Sequence, residues 1–201
     1  MDILILALVI ATGIAFLNAQ DQKRRIALLA RTLGQYQIEA LMENLTQGYL
    51  RALGEDDPAR RDQIWSLLTG AETAIAAQFG RFADDFARLD AASTRVSTLA
   101  MALPGASRLW PTATFDAREA FRLHARGIAD AVANREQRPP RDKAFLLSAE
   151  LFLMQHTCHW YCRSRRIASA RLLRRHKTNH EQVLASVAPQ TRRAYGALTG
   201  L

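Results

Sequence analysis

The chain has 201 residues, of which 49% are hydrophobic and 7% aromatic. This length allows one well-buried core with an appended segment, and a composition dominated by Ala, Leu and Arg favours helices and argues against a sheet protein. The formal charge of +8 is uneven: residues 1–162 balance 18 basic with 18 acidic side chains, whereas residues 163–201 carry nine basic side chains and one acidic. Such a basic block attracts polyanions, or else forms a solvated helical face.

The chain begins with a charge-free apolar run, residues 3–19, which Lys23, Arg24 and Arg25 follow closely. About 17–25 such residues cross a bilayer core of ~30 Å as a helix. The run lacks the basic leader and cleavage site of a signal peptide, and the positive-inside rule places its basic flank in the cytoplasm. The basic residues are mostly arginine and rarely lysine, which is typical of proteins encoded by GC-rich bacterial genomes. Together these features predict that residues 1–20 form a single-pass anchor in a bacterial inner membrane, with the N-terminus outside and the bulk of the chain in the cytoplasm. Alternatively, the run is the buried core helix of a soluble bundle.

The first helix is predicted to run on past the anchor, because no breaker interrupts residues 20–53. A turn then follows, in which Gly54 suits a helix C-terminus, Asp57 an N-cap and Pro58 the first turn of the next helix. Residues 21–103 are accordingly expected to form a long helical hairpin.

The second arm of the hairpin, residues 57–103, carries a regular apolar repeat. Beginning at Ile64 and ending at Leu103, apolar side chains recur at steps of three and four. This is typical of a coiled-coil seam, which packs against a helix of the same chain or of a second copy, so the seam is predicted to serve a protein partner or self-association. As one helix, this arm would be ~70 Å long, whereas the part of the first helix beyond the membrane, residues 26–53, would be ~42 Å long. A straight second helix would therefore extend into the bilayer. Either the second helix bends, or the hairpin is wholly soluble and includes the apolar run.

Two to three further helices are predicted in residues 104–201. Asp116 with Glu119 resembles a capping box ahead of a narrow apolar stripe, and that helix should end before Pro139. Another helix should begin near Asp142, with a broad apolar face whose Glu and His residues argue for burial rather than a second span. The fold class is therefore all-α, an up-and-down helical bundle built on the long hairpin, with an N-terminal transmembrane helix.

One set of residues has the spacing of a Cys2His2 zinc site: Cys158, Cys162, His176 and His180. With zinc bound and the neighbouring arginines on phosphate, the chain would be a zinc-dependent nucleic-acid-binding module. Against this, one unbroken helix would hold the two pairs more than ~20 Å apart, and a core cysteine pair with surface histidines accounts for the same residues. Cysteines four residues apart cannot close a long-loop disulfide, which favours a reducing compartment.

Sequence motifs of common enzymes are missing. No phosphate-binding glycine loop, di-iron motif, haem attachment site or nucleophile elbow occurs, so no enzymatic activity and no cofactor other than the alternative zinc is predicted. The leading prediction is a membrane-anchored bundle on the cytoplasmic side that acts as an interaction or scaffold subunit of a membrane complex. Anionic lipid or another polyanion is expected to contact its basic segment through Arg163, Arg166, Arg171, Arg174, Arg175 and Lys177.

Overall fold

The computed structural model describes residues 2–100, 105 and 110–201. Helices make up 81% of it, with nine helices and a two-stranded antiparallel sheet in these residues, which confirms the all-α prediction. The helices are α1 (Asp2–Leu33), α2 (Ile38–Leu53), α3 (Pro58–Ala87), α4 (Ala91–Thr94), α5 (Ala117–Ala133), α6 (Pro140–Cys162), α7 (Arg165–His176), α8 (His180–Ser186) and α9 (Pro189–Thr199). The strands are β1 (Arg95–Ser97) and β2 (Thr114–Asp116).

Helix α1 is the one element of the described residues that is long and apolar enough to cross a membrane. Its segment Ile3–Leu33 has a mean hydropathy of 2.2 in its most apolar window, none of which is buried. Large apolar side chains along the first half face outward, with Ile3 83% and Leu6 60% exposed. The structure therefore does not bury the apolar run in the core of its own bundle.

The helix predicted to be continuous through residues 20–53 is broken between α1 and α2, so that prediction was wrong. The break is stabilised by α3. Gln78 Oε1 accepts the Gln37 backbone N–H at 2.7 Å, and the Tyr36 hydroxyl donates to an Asp85 carboxylate oxygen at 2.6 Å. These partners lie far along the chain, and their bonds outweigh the local preference for a continuous helix.

The second arm is not one helix over residues 57–103, because α3 ends at Ala87 and is followed by α4 and β1. In the sheet, Val96 of β1 lies opposite Phe115 of β2, and both side chains are buried. The prediction failed because the strand that pairs with β1 lies outside the apolar repeat. Leu103, the last residue of the predicted seam, lies outside the described residues.

The part of the seam within α3 packs inside the chain. Phe79, Phe82 and Phe86 are fully buried, and the rings of Phe86 and Phe121 on α5 meet edge to face with centroids 4.7 Å apart. These rings are therefore part of the core. Helices α2 and α5 of the same chain pack against this part of the seam, which is one of the two arrangements that the repeat predicts.

Helix α6 lies at the centre of the bundle, where it packs against α1, α2, α5, α7 and α8. The main core cluster extends from Leu29 on α1 to Ala168 on α7, so residues on both sides of the predicted division at 103/104 share one core. A smaller cluster on the other side of α6 includes Leu153, Val183 and Tyr195. Helix α6 therefore has the main core on one side and the layer α7–α9 on the other.

Candidate anion-binding cleft

The end of the bundle nearest the apolar run is where α1 meets the C-terminus of α6. Arg163 Nη1 donates to Gln22 Oε1 at 2.6 Å, and the Arg25 guanidinium lies 5.6 Å from the centre of the Tyr161 ring, a cation–π distance. Further along α1, Leu29 is buried in the main core. These contacts fix the end of α6, and the basic segment that follows it, beside the residues that come directly after the apolar run.

Helix α7 turns back along α6 after two residues. Ser164 caps α7, its hydroxyl accepting the Ile167 N–H at 3.4 Å. Ala168 and Leu172 are buried, and their spacing of four residues places both on the face by which α7 packs. The arginines of α7 therefore remain on its outer and lateral faces.

A cleft of about 150 Å³ opens between the C-terminal half of α6 and α7, lined by Gln155, His156, His159, Arg171, Leu172, Arg174 and Arg175. Three of the six basic residues predicted to contact a polyanion thus come together with two histidines. None of the ion pairs in the described part of the chain includes these three arginines. Their positive charge is therefore not compensated by a neighbouring carboxylate.

The polar side chains of the cleft present hydrogen-bond donors. Arg171 donates to His159 Nδ1 at 3.2 Å, which places the proton of this neutral imidazole on Nε2. His176 Nε2 donates to Gln155 Oε1 at 2.7 Å, which leaves the Gln155 amide nitrogen as a donor. Burial and the nearby charges of Arg171 and Arg175 lower the pKa of His159 to about 4. The positive charge of the cleft at neutral pH therefore comes from its arginines.

His156 lies beneath these groups and is fully buried. Its Nε2 forms a hydrogen bond of 3.1 Å with Ser169 Oγ, whereas its Nδ1 has no hydrogen-bond partner in the described structure. The His180 ring lies against it, with centroids 4.2 Å apart, and burial lowers the pKa of His156 to about 2. A buried polar atom without a partner marks a place where a ligand or water completes the bonding.

A second buried polar group lies on the same side of α6. His124 Nε2 and the Thr157 hydroxyl are 2.8 Å apart, and the Thr157 and Tyr195 hydroxyls are 3.2 Å apart. These residues come from α5, α6 and α9, so no local spacing predicts the group. One feature of the sequence could have predicted the cleft. Serine is a residue type that helix N-caps prefer, and a helix that begins after Ser164 turns the arginines back toward His159.

The other predicted basic residues lie outside the cleft. Arg163 is engaged with Gln22, just after the apolar run. Arg166 is exposed, and its backbone N–H donates to the Ala100 carbonyl at 3.3 Å. Lys177 is the C-cap of α7, in the left-handed conformation with φ of 55°. The segment thus divides into a basic turn beside the end of the apolar run and a basic cleft further along α7.

The four residues with zinc-site spacing are not assembled around a common point. Cys158 Sγ lies 3.8 Å from Met154 Sδ at the main core, His176 stacks on Phe152 at 3.8 Å, and His180 lies against His156. Across the described residues, no group of three or more His, Cys, Asp or Glu side chains is placed to hold a metal ion. The pairs separate because the cysteines lie on the side of α6 that faces the main core, whereas the histidines lie in the layer α7–α9.

Comparisons with known proteins give no match: no family model fits the sequence, and no curated protein and no solved structure is significantly similar to it. The fold and the site therefore define the protein only by class. Its described residues form an all-α bundle with one helix long and apolar enough to cross a membrane, and with a basic cleft, not compensated by a carboxylate among them, near the point where that helix joins the bundle.

Proposed function

We propose that the protein is a single-pass protein of a bacterial inner membrane, with its N-terminus outside and its helical bundle in the cytoplasm. It acts as a non-enzymatic interaction or scaffold subunit of a membrane complex. Its basic end contacts anionic lipid, which holds the bundle in a fixed orientation at the membrane surface.

The observation that carries this proposal is the hydrogen bond between Arg163 and Gln22. At 1.5 Å per residue, the helix from Ile3 to Gln22 rises about 30 Å, the thickness of the hydrocarbon core. Gln22 then lies at the edge of the core, with Lys23 among the lipid headgroups. Arg163 is held at the same depth, so the basic segment begins at the membrane surface.

The charge of the segment supports a contact with anionic lipid. Residues 163–177 contain seven basic and no acidic side chains. Each basic residue near an anionic leaflet contributes about 1 kcal/mol to binding, within a screening distance of about 8 Å at physiological salt. The turn at 163–166 lies within that distance, whereas Arg192 and Arg193 on α9 belong to another part of the layer.

The cytoplasmic placement is supported by the flanks of the apolar run. Lys23, Arg24 and Arg25 follow it closely. The positive-inside rule retains such a basic flank in the cytoplasm. The scaffold role is supported by the contacts between α1 and α6, from Arg163 to Gln22 and from Arg25 to Tyr161, which orient the bundle relative to the apolar run.

The lipid contact is tested by hydrogen exchange on the full chain in nanodiscs of phosphatidylcholine alone or mixed with phosphatidylglycerol. We expect amides of residues 163–166 to exchange several-fold more slowly in the anionic discs, and the R163Q/R166Q variant to lose this difference. The R192Q/R193Q variant, which removes the same charge from α9, should keep it. Equal exchange in both lipids, or equal loss in both variants, would refute the contact.

A further inference from the structure

We infer that the cleft between α6 and α7 is a binding site for a single phosphate group, carried by a lipid headgroup or by a small phosphorylated molecule. This conclusion rests on the proposed membrane placement only for the source of the phosphate. The contact proposed above involves the turn at 163–166, whereas the cleft is formed by Gln155, His159 and the arginines of α7.

The lining of the cleft has the chemistry of an anion site. The guanidinium groups of Arg171, Arg174 and Arg175 offer only donors, and the bonds already described leave His159 Nε2–H and the Gln155 amide nitrogen as donors as well. No carboxylate pairs with the three arginines in the part of the chain that the structure describes. A site composed of donors with uncompensated positive charge selects an anion with several acceptor oxygens, and arginine bonds phosphate in a bidentate manner.

The size and shape of the cleft suit one phosphate group. The cleft has a volume of about 150 Å³, whereas on the same measure a cavity of ~10–15 Å³ already holds a water molecule. A phosphate group, with five heavy atoms, is accommodated in such a space. A nucleic-acid strand instead needs cations spaced along an extended groove, so a compact cleft between two short helical segments favours one phosphate.

One further feature of the lining does not involve the arginines. His156 lines the cleft, is fully buried, and has a ring nitrogen, Nδ1, with no hydrogen-bond partner in the described structure. Burying such a group without a partner is costly. The lining of the cleft therefore includes a buried polar ring with incomplete bonding, which suits a charged ligand better than an apolar one.

The position of the cleft relates it to the membrane. Along α6, His159 lies four residues and Gln155 eight residues before Arg163, which corresponds to about 6 and 12 Å along the helix. The polar headgroup layer on each side of a bilayer is about 5–7 Å thick. The upper part of the cleft thus lies at the depth of a headgroup, and its lower part is open to small molecules in the cytoplasm.

The site is tested on the full chain in detergent micelles by titrating inorganic phosphate and following the His159 imidazole by NMR, its signals assigned with H159Q. The cations that face His159 are Arg171 and Arg175, and His176 lies near it. We expect phosphate to raise the pKa of His159 saturably. The R171Q/R175Q variant should weaken binding about tenfold or more, and R192Q/R193Q should leave it unchanged.

A parallel titration with the soluble headgroup glycerol 1-phosphate and with phosphatidylglycerol nanodiscs separates the sources. Saturation by either form supports the site. Saturation by the soluble forms without slowed exchange of residues 163–166 in anionic discs keeps the site and removes the proposed lipid contact. Slowed exchange without any saturable change at His159 keeps the proposed lipid contact and removes the site. Equal weakening in both double variants, or tighter binding of a single-stranded oligonucleotide, would overturn the site in favour of a diffuse basic surface.

Discussion

Glu150 is a carboxyl group buried where α5, α6 and α9 meet. It is fully inaccessible, and its Oε1 accepts the Ala188 N–H at 3.0 Å. Its Oε2 has no hydrogen-bond partner in the described residues and lies against Gly127. Burial raises the pKa of Glu150 from 4.5 to about 7. Replacing it with glutamine keeps the shape and the bond to Ala188 but removes the titration.

Because its pKa is raised, Glu150 lowers the stability of the fold more strongly as pH rises. Between pH 4.5 and 7 the folded chain binds this proton and the unfolded chain does not, so stability is lost as pH rises through this window. One pKa unit corresponds to about 1.36 kcal/mol, so the total loss is about 3 kcal/mol at pH 7 and above. The E150Q variant should therefore be more stable than the native chain by an increment that grows toward this value with pH.

Buried histidines also make the free energy of unfolding depend on pH. The effect of Glu150 is therefore measured as the difference between E150Q and the native chain. Burial lowers the pKa of His124 to about 3 and of His156 to about 2, so these groups add stability as pH rises toward 6.5. Their slope opposes that of Glu150 and is common to both proteins, so it cancels when the free energy of unfolding of E150Q is compared with that of the native chain. Denaturant unfolding of the full chain in micelles from pH 4.5 to 8 gives this difference.

The control is E181Q, which changes an exposed glutamate on α8. Its difference from the native chain should be small, and it should not grow across the same pH range. A difference between E150Q and the native chain that stays constant from pH 4.5 to 7, or a pH dependence equal to that of E181Q, would refute the account of Glu150 as a buried, destabilising carboxylate.

Two further predictions concern packing and the anchor. In G127A the new Cβ would lie 2.5 Å from Glu150 Oε2 and 2.8 Å from Thr191 Oγ1. The free energy of unfolding should therefore fall by about 1–3 kcal/mol. In the control G70A, at an exposed helical position with open space, the free energy of unfolding should instead rise by up to about 1 kcal/mol. Deleting residues 1–20 should release the protein from carbonate-washed membranes while the full chain stays in the pellet, and a soluble full chain would remove the anchor.

Signals that act within a few residues predicted the structure well. The turn after α2 contains Asp57 as the N-cap, accepting the Ala59 N–H at 2.9 Å, with Pro58 in the first turn of α3. Asp116 likewise caps α5, accepting the Arg118 N–H at 2.9 Å. Such caps depend only on neighbouring backbone, so a single sequence is sufficient to locate them.

Features that depend on distant partners could not be located in the same way. The break before α2 is held by Gln78 and Asp85, and β1 exists because β2 pairs with it. The residues at 89, 93 and 96 keep the spacing of the repeat, although α3 ends at Ala87 and these positions lie in the segment after it, in α4 and in β1. The candidate site shows the same limit: the arginines were visible as a basic block, but their alignment with His159 and Gln155 required the turn at Ser164.

The two sides of α6 differ in how they are held, and this bears on how a ligand would act. Toward the main core, α6 presents apolar side chains such as Leu151 and Tyr161. Toward the layer α7–α9 it presents Glu150, His156 and Thr157, which are buried polar groups, two of them with an unpartnered atom. A layer fixed by fewer apolar contacts and incomplete polar ones opens more readily than the core. An anion bound in the cleft would bridge α6 and α7 and stabilise this layer, so phosphate should slow amide exchange in α7 while leaving α3 unchanged.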